Sequence, residues 1–158
     1  MNLSPPTEVS EAKGFSSSEY NSVALSAHLR AITLLSNSFD YNPADGVRQE
    51  DWKLGYGVRV NSCRYNQDEE YVAAIIKYSM AAKHGRKKIV TCNAVYGVFY
   101  DVGFVSSTEA AEAFCNNVGV FAAYPYFRSL VATLLWNAGV DLPPLPAIAS
   151  TAHIPKKG

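Results

Sequence analysis

The stretch from Tyr124 to Gly139 constrains this chain more than any other. Pro125 stands where the first turn of a helix tolerates a missing N–H, and Gly139 where a left-handed residue closes one. The spacing predicts one helix between them. Phe127, Leu130, Val131, Leu134, Leu135 and Ala138 recur every three or four residues, so that face must lie on apolar material. The opposite face carries Ser129, Ala132, Thr133 and Trp136, and Arg128 is the only charge in the stretch. A helix on a domain surface normally shows water a charged back. Both faces are therefore expected to be covered, and small residues at 129, 132 and 133 let a second helix approach closely. No other strong long helix stands in the sequence, so the expected partner is another copy of the chain.

With 158 residues the chain is long enough for one domain with a proper core. The 14 Lys and Arg balance the 14 Asp and Glu, which leaves no electrostatic footprint for nucleic acid and no polybasic patch for a membrane. The basic cluster from Lys83 to Lys88 encloses Gly85 and reads as a solvated hairpin tip. No apolar run long enough to span a bilayer is read, and the opening residues lack the charged-then-apolar order of a signal peptide. A cytoplasmic protein without membrane insertion is the expectation. Cys63, Cys92 and Cys115 are odd in number and far apart, suggesting neither a disulfide framework nor a zinc site.

Residues 1–15 read as a flexible tail, 16–150 as the single domain and 151–158 as a second tail. Ser16 and Glu19 have capping-box spacing ahead of a short helix ending near His28. From Leu29 the period becomes two, with Leu29, Ala31, Thr33 and Leu35 facing one side of a strand and Arg30, Ile32 and Leu34 the other. The segment from Tyr41 to Trp52 is too long and turn-rich for a hairpin and reads as a crossover, with Trp52 expected in the core. Tyr56, Val58, Val60 and Ser62 alternate against Gly57, Arg59, Asn61 and Cys63 in a second strand. After a polar turn, a third strand runs to about Ala82 and pairs as a hairpin with a fourth, from Lys88 to about Tyr100. Ser106 and Glu109 repeat the capping-box spacing and open a short helix to about Asn117, with Gly119 past its end. The Pro-rich segment from Leu142 to Pro146 is expected to lie extended along the body. This order gives an α+β fold, a four-stranded antiparallel Greek-key sheet packed on a long C-terminal helix.

Catalysis needs convergent polar groups, and the sequence offers none. His28, His84 and His153 lack an acid or cysteine partner, and no basic neighbour lowers the pKa of Cys92 or Cys115. Asp68, Glu69 and Glu70 lack calcium-loop spacing. No enzyme, metal or cofactor is expected. What remains is aromatic and apolar surface, including Tyr20, Phe39, Tyr41, Trp52, Tyr56, Tyr65, Phe99, Tyr100, Phe104 and Tyr126, more than a small core readily buries.

From residue 29 to about 148 the chain resembles the SecB family of protein-export chaperones and its SecB-like relatives. The resemblance rests on Arg30-Ala-Ile-Thr and Ser38-Phe-Asp40, on Asp51-Trp52, and on the alternation Tyr56, Val58, Val60. Cys92, Gly97-Val-Phe99, Gly103 and Tyr124-Pro-Tyr with Arg128 continue it in order. It implies a homotetramer, a dimer of dimers with long helices sandwiched between sheets. It also implies an ATP-independent holdase that takes unfolded clients into apolar grooves. By position, Phe39, Trp52, Tyr56, Val58 and Val60 would line the groove. Cys92 and Ala94 would lie near the inter-subunit helices, with Arg128, Ser129, Ala132, Thr133 and Trp136 at the oligomer interface. Family positions that dock the SecA translocase ATPase hold Ser36 and Asn93 here, with Asp40 kept, which weakens those contacts. The helix and zinc-assisted tail that usually follow the Pro-rich segment are missing, and an extra helix stands at the front. SecB-like chaperones that guard the antitoxin of a toxin–antitoxin system resemble the chain at least as well. An unfolded preprotein or an antitoxin is thus the expected client. The alternatives are a non-catalytic adaptor with one fixed partner, or a small-molecule-binding α+β domain using Thr91, Asn93 and Tyr78.

Overall fold

A computed structural model describes residues 14–43 and 45–147. Helix α1 spans Ser17–Ser26, strand β1 His28–Tyr41, β2 Lys53–Asn66, β3 Tyr71–His84 and β4 Lys87–Asp101, and helix α2 spans Thr108–Asn137. A single turn of 3₁₀ helix, Gln49–Asp51, precedes β2. Most of the two expected tails, with His153, lies outside the described residues. Phe15, the last residue of the expected N-terminal tail, stacks on Tyr20.

The sheet has the order β1-β4-β3-β2 with every pair antiparallel, so the chain crosses from one edge to the other after β1. The hairpin between β3 and β4 turns through Gly85, at φ +58°, a left-handed conformation that favours glycine. Between β2 and β3, the Asn66 side chain accepts from the amides of Asp68 and Glu69 at 3.0 and 3.1 Å, a local turn that organises the polar loop. The Ser16 capping box forms in full, with Ser16 Oγ accepting from the Glu19 amide and Glu19 accepting from the Ser16 amide.

Alternate residues of β3 and β4 make the core. Val72, Ala74, Ile76, Tyr78, Met80 and Ala82 on β3, and Val90, Cys92, Ala94, Tyr96, Val98 and Tyr100 on β4, are buried beneath the helices. From above, Phe114, Cys115, Val120, Ala123, Tyr124, Phe127, Val131 and Leu135 descend onto them. Burying each large side chain contributes roughly 1.5–3 kcal/mol.

Two helices are expected over residues 106–139, but α2 is one helix of 30 residues that runs through both Gly119 and Pro125. Gly119 is packing rather than punctuation. A Cβ there would stand 3.3 Å from Ile76 Cδ1 and 3.7 Å from Val98 Cβ, so the missing side chain lets the helix sit down on β3 and β4. Pro125 leaves the Phe121 carbonyl without its helical donor. One residue earlier, the buried Tyr78 hydroxyl donates to the Val120 carbonyl at 2.5 Å and anchors this part of the helix to β3. The cap is Ser107, whose Oγ accepts from the Ala110 amide, and not Ser106. The expected stop does hold: Gly139 has φ +68°, its amide reaches the Trp136 carbonyl, and the Val140 amide reaches that of Leu135. That is the paired closure of a Schellman motif.

As a single helix, α2 is long and apolar enough to cross a bilayer by length and composition, which the two-helix expectation had not shown. One face of it, from Ala110 to Leu135, is buried against β2, β3 and β4, while Tyr126 and Trp136 stay exposed on the other.

Edge strands and the candidate binding surface

Single-residue bulges set which side chains of the edge strands face the helix side. On β1, Arg30 and Leu35 are extra residues opposite β4, because Leu29 pairs Tyr100 while Ala31 pairs Phe99, and Leu34 pairs Tyr96 while Ser36 pairs Val95. Each insertion reverses the alternation. Leu29, Ile32, Leu34, Phe39 and Tyr41 consequently share the helix-facing side, which corrects the expected grouping of Leu29 with Ala31, Thr33 and Leu35. On β2, Asn61 is the extra residue, so Cys63 and Tyr65 join Tyr56, Val58 and Val60 on that side instead of opposing them.

Cross-strand partners then define rows running over the sheet. One row is Phe39, Cys92, Met80, Tyr56, and the next is Asn37, Ala94, Tyr78, Val58. Phe39 and Tyr56 thus lie at opposite edges, three inter-strand spacings or roughly 14 Å apart. Phe39 does not share a groove with the others within one chain. Tyr56, Val58 and Val60 line the β2 edge, and Trp52 closes the 3₁₀ turn just before it.

The β2 edge is partly roofed. The Tyr124 hydroxyl donates to the Pro146 carbonyl at 2.6 Å, and Arg128 Nε donates to that of Leu145, so the Pro-rich segment doubles back along α2. Leu145 is buried by this fold-back, and the Gln49 side chain donates to the Asp141 carbonyl, joining the crossover to the same segment. Burial raises the Tyr124 phenol above its ordinary range, nearby Tyr56 adds to the rise, and Arg128 opposes it. Trp52 is half-buried against the core, and its indole N–H is enclosed without an acceptor among the described residues. Tyr56 remains 51% exposed.

At the other edge nothing comparable among the described residues lies over β1, and α2 packs chiefly on β2, β3 and β4. Leu34 is 43% exposed, Leu29 and Tyr41 are also exposed, and Ile32 and Phe39 are half-buried. Sequence reading passed over the β1 stripe, because only the bulges align it. Phe104 is fully on the surface, whereas Tyr100 is buried and Tyr20 and Tyr65 pack against the core.

The outward side of α2 presents Tyr126, Ser129, Ala132, Thr133 and Trp136, the last at 85% exposure. Cys92 and Ala94, expected near the inter-subunit helices, are instead buried inside the single chain. They sit under α2, so they offer no surface of their own. Burial also pushes the Cys92 thiol up to about 11.

Among the described residues, polar groups do not converge. Thr91 and Asn93 lie on the sheet side away from α2, paired with Asp40 and Ser38, while Tyr78 is beneath the helix. His28 and His84 stand at opposite ends of the sheet. Among the described residues no group of three His, Cys, Asp or Glu side chains could hold a metal ion.

No family model matches the chain. Among solved structures, it is similar to the SecB-like chaperone Rv1957 of Mycobacterium tuberculosis, solved in complex with a ChAD peptide from the Rv1956 HigA1 antitoxin. The match has a TM-score of 0.72 at 16% identity and covers 84% of this chain and 97% of that one. The chain therefore has the fold of a SecB-like chaperone.

Proposed function

We propose that the protein is a non-catalytic, ATP-independent chaperone that captures non-native polypeptide segments on the apolar stripes of its edge strands. The observation that carries this reading is the row of apolar side chains facing the helix side along β1 and β2, which pack on the rim of the core yet remain half-buried or exposed. Desolvating such side chains against a client contributes roughly 1.5–3 kcal/mol for each large residue docked. Binding of that kind needs no fixed hydrogen-bond register, which suits varied or unfolded clients.

The antitoxin peptide bound by the similar chaperone supports a client of the same class here, a dedicated antitoxin, ahead of general export in the cytoplasm. Docking on an export ATPase is weakened by Ser36 and Asn93, which stand exposed and half-buried on the sheet side away from α2. Assembly into a homotetramer would cover the outward side of α2, where Ser129, Ala132 and Thr133 allow close approach and Trp136 supplies area. Several subunits would then bind one client with avidity.

The test is aggregation of several unrelated unfolded proteins, and of an antitoxin, followed without nucleotide. The chain is expected to suppress it. Val58→Asp with Val60→Asp should reduce capture several-fold while leaving the oligomer unchanged, as size and light scattering will report. Suppression of a single client identifies an adaptor; undiminished capture by the double variant removes the β2 edge from the site.

A further inference from the structure

Two of the three cysteines meet across the layer between the sheet and α2. The bulge at Asn61 turns Cys63 to the helix side of β2, opposite Ala74. Its Sγ lies 3.2 Å from the Glu112 carbonyl, one turn before Cys115 on α2. Cys115 is buried on that same helix, its Sγ 4.0 Å from the Val98 carbonyl, and the two thiols lie near enough for each to shift the other's protonation. Both are free thiols, and Cys63 is the one that solvent reaches. Cys92 belongs to a different row, between Phe39 and Met80.

We propose that Cys63 and Cys115 are a modification site, a reversible dithiol–disulfide pair that clips the β2 edge to α2 when a low-molecular-weight disulfide is the oxidant. The geometry divides the labour. The Cys63 thiolate attacks one sulfur of the small disulfide, expelling one small thiolate and leaving a mixed disulfide on Cys63. Cys115 loses its proton, attacks Cys63 Sγ and expels the second small thiolate. The protein gives up two thiol protons and two electrons, and one small disulfide becomes two small thiols. The Cys115 contact holds the Cys63 thiol below its ordinary range, which suits the attacking role, while the same contact and burial hold Cys115 above its own, which suits a group that reacts second.

The pair does not depend on client capture. Once formed, it ties Tyr65, Val60 and the rest of the β2 stripe to the helix beside them.

Treatment of the native full-length chain with oxidised glutathione should lower the free thiols from three to one per chain, with a mass loss of about 2 Da. Dithiothreitol should restore all three. Trypsin leaves Cys92 and Cys115 on one peptide, so chymotryptic mapping without reduction is needed to find Cys63 joined to Cys115. Cys115→Ser should stop at a stable glutathione adduct on Cys63, and Cys63→Ser should leave Cys115 unreacted in the folded protein. Three thiols remaining, a bond involving Cys92, a link between chains, or a lasting adduct on wild-type Cys63 would each overturn the proposal.

Discussion

The central strands and the edge strands of this sheet are built from similar apolar residues, yet they end in opposite states. On β3 and β4, every second side chain is covered by α2 and the alternation runs nearly unbroken. On β1 and β2, bulges re-aim the chain and leave large side chains part-way in solvent. The difference shows that folding is settled in the middle of the sheet. What the edges carry is surplus to that, and exposed apolar surplus marks an interaction surface.

The contrast breaks first, and most severely, at Phe127, which is fully buried and stacked on Tyr78 with ring centroids 5.2 Å apart. Phe127→Ala should cost about 3–5 kcal/mol in urea unfolding, from lost transfer energy and the cavity left behind. A cost no larger than that of an edge substitution would mean the middle is not where stability resides.

Alkaline pH sharpens the same comparison. Burial raises the phenols of Tyr78, Tyr96 and Tyr100 above their ordinary range. Above pH about 10 the unfolded chain releases these protons while the folded chain keeps them. Their contribution is therefore complete below pH about 10 and is lost as pH rises towards the folded values. Tyr78 alone should account for about 1.4 kcal/mol per pH unit in that range, and Tyr78→Phe should flatten the slope. The buried Cys92 thiol adds a loss of the same sign from the ordinary thiol range upward.

At the β1 edge, Arg30 pairs with Asp101 and lies over the Tyr71 ring, 5.0 Å from its centroid. Both charged side chains are nearly half exposed, so Arg30→Ala should move stability far less than Phe127→Ala does. A comparable loss would give the edge a share in the core's work.

The architecture was legible where local chemistry and burial agreed. The Ser16 capping box, the Asn66 turn, the Gly85 hairpin and the Gly139 stop each announce themselves by residue type and spacing, and the double-sided apolar character of β3 marks it as central. That the Pro-rich segment beyond Gly139 lies along the body also followed from its prolines, though its fold-back onto Tyr124 and Arg128 did not. Three further things were not legible. Gly119 and Pro125 look like helix ends, but packing against Ile76 and Val98 and the Tyr78 anchor carry the helix through them. Bulges at Arg30, Leu35 and Asn61 have no residue signature, because they are decided by the register of the partner strand. Cys92 and Ala94 were placed by resemblance, and in this chain the helix covers them. The alternation of Tyr56, Val58 and Val60 did give their common side of β2, whereas Phe39 lies at the opposite edge of the sheet.

Those three inserted residues also say how such a protein can be altered. Removing Leu35 alone would close that bulge into a regular ladder, leaving Phe39 opposite Cys92 and Tyr41 opposite Val90, both still on the helix-facing side. No atom of the central pair need move. A bulge thus lets an outer strand gain or lose one residue while the greasy rim on either side of it keeps its facing.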